Sequence, residues 1–244
     1  MGQESARLLE AFYQGKRSCN LSEKTLDSYA QRLVLLPERF SGREITDITA
    51  DEIRDYVASI DTKFSPATIN GQIRVFRLFF RWLKSQGIID REPTKEIPLL
   101  RQNAEAKQTL TPSEIGLILS TFDRATYEGN RNFVMFLTMC DSTIRVYELV
   151  RIKLSDLNLE RQYIMTFRSK GREYSEIRIS SETAKHIDIY LTQWRRSIPG
   201  ELVFPNVSGA KLREDSAYHI LQRAGDKVGI RVYPQMLRRA APTM

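Results

Sequence analysis

Hydrophobic side chains in the first part of the chain recur at helical spacing, which predicts an all-helical region. Ser22, Thr49 and Ser65 are residue types that cap helix N-termini, and an amphipathic stretch follows each of them. Thr49 and Glu52 also have the spacing of a capping box. We therefore expect a helix after each cap, preceded by a shorter helix at about residues 5–14.

The pattern changes twice in the second half of the chain. Residues 133–140 form an apolar run, which predicts a buried helix, then a short break and a second helix starting near Ile144. Polar and apolar residues alternate across residues 163–180 on both sides of a basic loop with a glycine, which predicts a β-hairpin. Helical spacing returns in residues 181–196 and 213–229.

A stretch without periodicity separates the two halves. Residues 91–108 contain two prolines followed by polar residues, which is typical of a linker. Thr111 and Glu114 then form a second capping-box pair at the start of a helix. The predicted boundaries are a first domain 1–100, a linker 101–108 and a second domain 109–244.

Composition narrows the class of protein. Hydrophobic residues make up 41% of the 244 residues, enough for folded domains with cores of their own. The net charge is +7, of which the first hundred residues contribute +1 and the remainder +6. A positive excess of this kind suits a polyanionic partner such as DNA, or an acidic membrane surface.

The sequence offers no obvious metal or cofactor chemistry. Its cysteines are Cys19 and Cys140 and its histidines are His186 and His219, and none has metal-ligand spacing. We therefore expect no metal and no cofactor. The sequence has no signal-peptide pattern and no apolar stretch long enough to span a bilayer, so we expect a cytoplasmic protein without a membrane partner.

Basic residues at three places are candidates for a function. Arg145 stands at the start of a helix with Glu148 one turn on, so it forms either a surface ion pair or a phosphate contact. Lys170 lies at the hairpin tip, where an exposed turn lysine is the ordinary interpretation. Arg74 and Arg77 lie off the apolar stripe of their helix, on either a solvated face or a row of phosphate contacts.

Several segments, in this order, resemble the tyrosine recombinase family, also called the phage integrase family. DSTIRVYELVRIKLSDL is similar to its D-T-G-L-R-x-x-E-L-x-x-L-x-x-x-D box. SKGRE resembles its lysine hairpin, and PQMLRRAAPT resembles its P-H-x-L-R-H-x-x-A-T box. The resemblance covers nearly the whole chain, because residues 1–100 are similar to the family's helical core-binding domain.

This resemblance implies a mainly α fold with a small β-hairpin or sheet. A SAM-like, DNA-binding domain would be followed by a tyrosine recombinase catalytic domain that lacks its C-terminal end. The implied activity is site-specific recombination, in which DNA strands are cut and rejoined through a tyrosine–3′-phosphate intermediate. Such chemistry serves DNA integration and the movement of mobile elements.

The resemblance also implies roles for individual residues. Arg145 and Arg238 would stabilise the negative charge on the phosphate oxygens, and Lys170 would protonate the leaving 5′-oxygen. Gln235 stands where the family has a proton-shuttling His or Lys, so it could orient a phosphate oxygen but could not carry a proton. Thr143 replaces a glycine of the family pattern, and a histidine is likewise replaced by arginine at position 239.

Family members close two domains around duplex DNA, which implies contacts from the first domain as well. Helix N-termini attract phosphate, and charges off an apolar stripe can reach it. The residues expected to contact DNA on these grounds are Lys24, Thr25, Thr68, Arg74 and Arg77.

The family's nucleophilic tyrosine follows its second arginine, but no tyrosine follows Arg238 in these 244 residues. Tyr233 precedes the arginine, so we do not assign it that role. We expect either a recombinase whose sequence is incomplete here, or a degenerate relative that binds DNA without cutting it. A complete recombinase would form a homotetramer on DNA, whereas a monomer in solution is expected for this chain.

Overall fold

The computed structural model describes residues 3–19, 21–40, 43–102, 108–168 and 173–240. The chain divides into two compact units, Met1–Ala104 and Glu105–Met244. No helix among the described residues is long and apolar enough to cross a lipid bilayer.

The first unit is helical. Its caps are those expected from the sequence: the Ser22 and Ser65 hydroxyls each accept a backbone N–H, and Thr49 forms a capping box with Glu52. The N-terminal helix is longer than predicted, because polar residues continue it beyond Gln14. The helices are α1 (Gln3–Ser18), α2 (Glu23–Leu33), α3 (Leu35–Arg39), α4 (Ala50–Ile60) and α5 (Pro66–Ser85).

Aromatic side chains fill the centre of this unit. Phe12 of α1 is fully buried and meets Phe79 and Trp82 of α5 edge-on, with ring centroids 5.2 and 5.5 Å apart. Edge-on pairs of this kind add stability beyond their buried area. This aromatic cluster therefore joins α1 to α5 in the core of the unit.

Helix α5 also holds the chain that follows it. The buried amide of Asn70 donates to the Leu100 carbonyl at 2.9 Å and accepts the Leu100 N–H at 2.8 Å. Arg77 donates to the Ile97 carbonyl at 2.7 Å. Residues 97–100 are thus fixed along α5 although they form no regular element, because buried side chains replace the missing backbone partners.

The second unit packs helices around one buried helix. Residues 133–140, predicted to be buried, are all buried and belong to helix α7 (Tyr127–Asp141). Four helices pack against it: α6 (Pro112–Leu119), α9 (Ser181–Gln193), α10 (Glu214–Asp226) and α11 (Pro234–Ala240). The predicted Thr111–Glu114 capping box is present. Helix α8 (Val146–Leu149) follows α7 along the chain.

A small antiparallel sheet lies in the same unit. Its strands β1 (Leu157–Asn158), β2 (Tyr163–Arg168) and β3 (Glu173–Arg178) are ordered β1-β2-β3, so the predicted hairpin is present. Ile164 and Ile177 are paired across the hairpin and buried on its inner face.

The segment after α7 differs from the sequence expectation. The helix expected near Ile144 begins at Val146 and ends at Leu149, so Arg145 is its N-cap residue and lies outside it. The chain then leaves the helix because Lys153 bridges to Leu202 in an extended conformation. Tertiary pairing therefore overrides the helical spacing at this point.

Candidate functional site

The connection between α7 and α8, residues 142–145, is fixed by hydrogen bonds along its length. The Ser142 hydroxyl donates to the Thr138 carbonyl at 2.5 Å and accepts the Ile144 N–H at 3.4 Å. Ser142 and Ile144 are both buried, whereas Thr143 is exposed. The loop therefore has an anchored inner side and an accessible outer side.

Arg145 closes this loop through Glu148. One oxygen of the Glu148 carboxylate accepts the Arg145 backbone N–H, and the other accepts a guanidinium N–H, each at 2.8 Å. The Glu148 side chain is 3% exposed and that of Arg145 is 47% exposed. The pair is therefore no ordinary surface ion pair, because a buried carboxylate aims a guanidinium whose other side faces solvent.

Arg238, on the last helix of the described residues, contacts the same loop. Helix α11 packs against α7, and Arg238 donates its Nε–H to the Thr143 carbonyl at 2.7 Å. The structure thus brings Arg238 to within two residues of Arg145 along the loop. Two guanidinium groups near one exposed loop are suited to binding an anion with several acceptor oxygens.

The other residues expected at the site are less closely placed. Gln235 is exposed on α11, one turn before Arg238, and it has no hydrogen bond to another described residue of the site. Arg239 points elsewhere and donates to the Gln108 carbonyl at 3.3 Å. Lys170 belongs to the connection between β2 and β3 and lies outside the described residues.

The expected DNA-contacting residues all lie in the first unit. Lys24 and Arg74 are exposed, with no ion pair within the described residues. Thr25 and Thr68 follow the caps Ser22 and Ser65, and their hydroxyls lie 2.8 and 3.0 Å from the cap hydroxyls.

Arg77 is less exposed than the sequence suggested, and it makes a hydrogen bond within the first unit. It is half-buried, and its guanidinium is bonded to the Ile97 carbonyl. Its Nε is buried without a partner among the described residues. The helical spacing placed Arg77 off the apolar stripe but could not show that the Ile97 carbonyl would lie against its guanidinium.

A groove of about 380 Å³ opens beside Glu148, between α8 and the hairpin. Arg151 lies on one wall, stacked 3.7 Å above the Tyr147 ring and paired with Glu214 at 3.0 Å. Phe167 and Tyr174, exposed at adjoining hairpin positions, lie on the opposite wall. The groove mixes acidic, basic and aromatic groups and has no single charge.

The described residues offer little chemistry besides the arginines. No three His, Cys, Asp or Glu side chains lie close enough together in this part of the chain to hold a metal ion. Cys140 is buried beside the loop, and burial raises the pKa of its thiol far above the ordinary value. A thiol held protonated in this way is a poor nucleophile.

Comparisons with known proteins assign the family. The sequence profile of the phage integrase family matches residues 108–244, and that of the phage integrase N-terminal SAM-like domain matches residues 8–90. The chain therefore belongs to the phage integrase family, whose members are tyrosine recombinases.

Two tyrosine recombinases align along most of the chain. The tyrosine recombinase XerD of Ralstonia nicotianae is 24% identical over 231 residues, covering 91% of this chain and 75% of XerD. The tyrosine recombinase XerC of Roseiflexus castenholzii is 26% identical over 232 residues, covering 91% of this chain and 74% of XerC.

A solved structure has the same fold. A λ integrase dimer bound to a COC′ core site matches with a TM-score of 0.80 over 98% of this chain and 88% of that chain, at 16% identity. Together with the two profiles, it confirms the predicted fold class: a helical SAM-like domain, then a mainly α recombinase catalytic domain with a small sheet.

Proposed function

We propose that this protein is a site-specific DNA recombinase in which Arg145 and Arg238 bind the phosphodiester that is cut. The observation that carries the proposal is the convergence of both arginines on the loop 142–145. In the reaction, a tyrosine attacks the phosphorus and forms a 3′-phosphotyrosine bond as the 5′-oxygen leaves. A 5′-hydroxyl from a partner strand then attacks this bond, rejoins the DNA and releases the tyrosine.

The two guanidinium groups match the charge that develops in this step. An attacked phosphate gains negative charge on its nonbridging oxygens, and forked N–H donors stabilise it best when they are held in advance. Glu148 fixes Arg145, and the Thr143 carbonyl fixes Arg238. Each arginine has five N–H donors in a planar fork, which matches an anion with several acceptor oxygens.

The remaining roles complete the proposal. Lys170 supplies a proton to the leaving 5′-oxygen, and Gln235 orients a phosphate oxygen. Lys24, Thr25, Thr68, Arg74 and Arg77 contact the backbone of duplex DNA. Protomers assemble as a tetramer on DNA, and a single protomer in solution is the unbound form.

Gln235 favours a second candidate function. A neutral amide stands where the family pattern has a proton-transferring His or Lys. A protein without that proton transfer would bind DNA through the same arginines without cutting it. Both candidate functions use the same phosphate contact. Only a measurement of strand cleavage therefore distinguishes a recombinase from a protein that binds DNA without cutting it.

The proposal is tested first by DNA binding. Fluorescence anisotropy with a duplex, repeated over a series of salt concentrations, gives both the Kd and the salt slope. Arg145→Ala and Arg238→Ala should each reduce the slope by about 0.9, the value for one lost phosphate contact. Arg239→Ala removes the same charge from the neighbouring position and is the matched control. Equal slopes for all three variants would refute the phosphate contact.

Cleavage is tested separately with a nicked suicide substrate. We expect no covalent adduct from the 244-residue chain, because no tyrosine follows Arg238 in it. An adduct, mapped to its residue by mass spectrometry, would overturn this expectation and would show that the nucleophile lies within these residues.

A further inference from the structure

Asp141 makes a contact that the proposed chemistry does not use. It is the last residue of α7, directly before the loop 142–145. Its Oδ2 accepts the backbone N–H of Ser180 at 2.6 Å, across 39 residues of chain. A bond this short to an ionised carboxylate belongs to the stronger class of hydrogen bonds.

Ser180 stands at the base of the hairpin. The Ile179 N–H donates to the Gln162 carbonyl at 3.0 Å, which extends the pairing of β2 and β3 by one step. The Ser180 hydroxyl then accepts the Thr183 N–H at 3.2 Å and caps α9. Asp141 therefore joins the end of α7 to the point where the hairpin ends and α9 begins.

Local energetics do not explain an aspartate at this position. The C-terminal end of a helix carries partial negative charge, so a carboxylate there is unfavourable. The helix-forming tendency of aspartate is also low. The negative charge of Asp141 at the C-terminal end of α7 is therefore best explained by its hydrogen bond to Ser180.

The contact acts on the exit of the loop from α7. The Ser142 hydroxyl donates to the Thr138 carbonyl, and the Thr143 carbonyl accepts a hydrogen bond from Arg238. The Arg145 guanidinium is bonded to Glu148. Asp141 adds a further attachment, which ties the start of the same segment to the hairpin side of the unit. Removing it would free the end of α7 from the base of the hairpin.

We propose that Asp141 is a positioning residue that sets the direction in which Arg145 is presented to a phosphate. The inference rests on the proposed function, because it assigns a role in the same phosphate contact. Asp141 itself touches no DNA; it acts through the loop.

Two pairs of variants isolate the contact. Asp141→Ala removes the acceptor, whereas Asp141→Asn keeps an oxygen that can accept a hydrogen bond. Ser180→Pro removes the N–H, and the Ser180 φ of −70° suits proline. Ser180→Ala keeps the N–H and loses only the cap hydroxyl, so it is the matched control for the proline variant.

The readout is the effect of Arg145→Ala on DNA affinity in each background. We expect a Kd increase of about tenfold in the parent, as for loss of a charge-assisted hydrogen bond, and of about twofold with Asp141→Ala or Ser180→Pro. In the Asp141→Asn background, Arg145→Ala should raise the Kd by an amount between about twofold and about tenfold. In the Ser180→Ala background it should raise the Kd by the full amount of about tenfold. A general loss of stability would not change this coupling.

Glu44 provides a remote control for destabilisation. Its carboxylate accepts the Ser5 N–H at 3.1 Å and the Ser5 hydroxyl at 2.6 Å in the first unit. Glu44→Ala removes a comparable contact, and the full effect of Arg145→Ala should persist in it.

The outcomes separate the two ideas. A full tenfold effect of Arg145→Ala in the Asp141→Ala and Ser180→Pro backgrounds overturns the positioning role and leaves the proposed function standing. No effect of Arg145→Ala in the parent overturns the proposed function, and the role of Asp141 with it.

Discussion

Arg238 donates its Nε–H to the backbone carbonyl of Thr143 at 2.7 Å, although 95 residues separate them in the chain. The acceptor is a main-chain oxygen, so the contact does not depend on the side chain at position 143. This explains how threonine can stand where the family pattern has glycine without removing the partner of the arginine. Helix α11 is thereby attached to the loop that carries Arg145.

Replacing Arg238 by lysine should show how much of its contribution to DNA binding comes from its positive charge and how much from the planar shape of the guanidinium. Lysine keeps the positive charge but has no Nε–H on a planar fork, so it cannot hold the Thr143 carbonyl and a phosphate in the same way. We expect Arg238→Lys to weaken DNA binding by about 1.5–3 kcal/mol, the range for a hydrogen bond to a charged group. Anisotropy titration measures the change. Arg239→Lys is the control and should bind as the parent does; equal affinities for both lysine variants would contradict the prediction.

Arg74 and Arg77 lie one turn apart on α5 and should behave differently. Arg74 is exposed, so Arg74→Ala should reduce the salt slope of DNA binding by about 0.9 and leave stability unchanged. Arg77 is also bonded to the Ile97 carbonyl, so Arg77→Ala should reduce the salt slope and in addition lower the free energy of unfolding by about 1–2 kcal/mol. Urea unfolding and salt-dependent anisotropy of both variants measure the two effects. Identical behaviour of the two variants would show that burial does not distinguish them.

Two helical glycines should respond in opposite directions to alanine. A Cβ on Gly129 would lie 1.8 Å from the Asp123 carbonyl oxygen, so Gly129→Ala requires the backbone to move. We expect it to lower the free energy of unfolding by about 2–4 kcal/mol, as other severe steric changes do. A Cβ on Gly116 meets no atom within 4 Å, so Gly116→Ala should stabilise by about 0.5–1 kcal/mol. Thermal or urea unfolding tests both, and a stabilised Gly129→Ala variant would show that the close approach is not rigid.

Cys140 should make stability depend on alkaline pH. Burial, and then the charge of Asp141, raise the pKa of its thiol in the folded protein. The unfolded thiol titrates near its ordinary value of about 8.5, so the folded state holds the proton more tightly above that pH. This stabilising contribution is complete below about pH 8.5 and is lost as the pH rises, by up to about 1.4 kcal/mol per pH unit.

The Cys140→Ala variant isolates this effect. Its baseline stability is lower because a buried side chain is truncated, but its unfolding free energy should fall less steeply between about pH 8.5 and 10. Urea unfolding at several pH values gives the two slopes. Parallel slopes for parent and variant would mean that the thiol does not contribute.

Local sequence signals predicted local structure well. The Thr49–Glu52 and Thr111–Glu114 capping boxes are present because all their partners lie within one turn of chain. The alternation around residue 165 likewise predicted the hairpin, since two-residue periodicity is a property of the strand itself.

The same signals could not show which surfaces the tertiary structure would cover. Alternation placed Met165 and Ile164 on opposite faces, but only the packing of the second unit makes the Ile164 face the buried one. The Arg77 guanidinium is bonded to the Ile97 carbonyl, 20 residues away, which spacing along a helix could not show either. The Arg145–Glu148 pair could be expected from its spacing of three residues, but the burial of the Glu148 carboxylate could not, because it depends on the packing of the second unit.

The hydrogen bonds along residues 142–145 also determine when conformational freedom is lost. Fixing a residue of a free loop costs roughly 1–2 kcal/mol of backbone entropy. Here Ser142, Thr143 and Arg145 are hydrogen-bonded within the protein. The backbone entropy of the loop is therefore lost during folding, before an anion binds. An anion arriving at the arginines therefore meets a loop that has little disorder left to lose, and more of the interaction energy remains available as affinity.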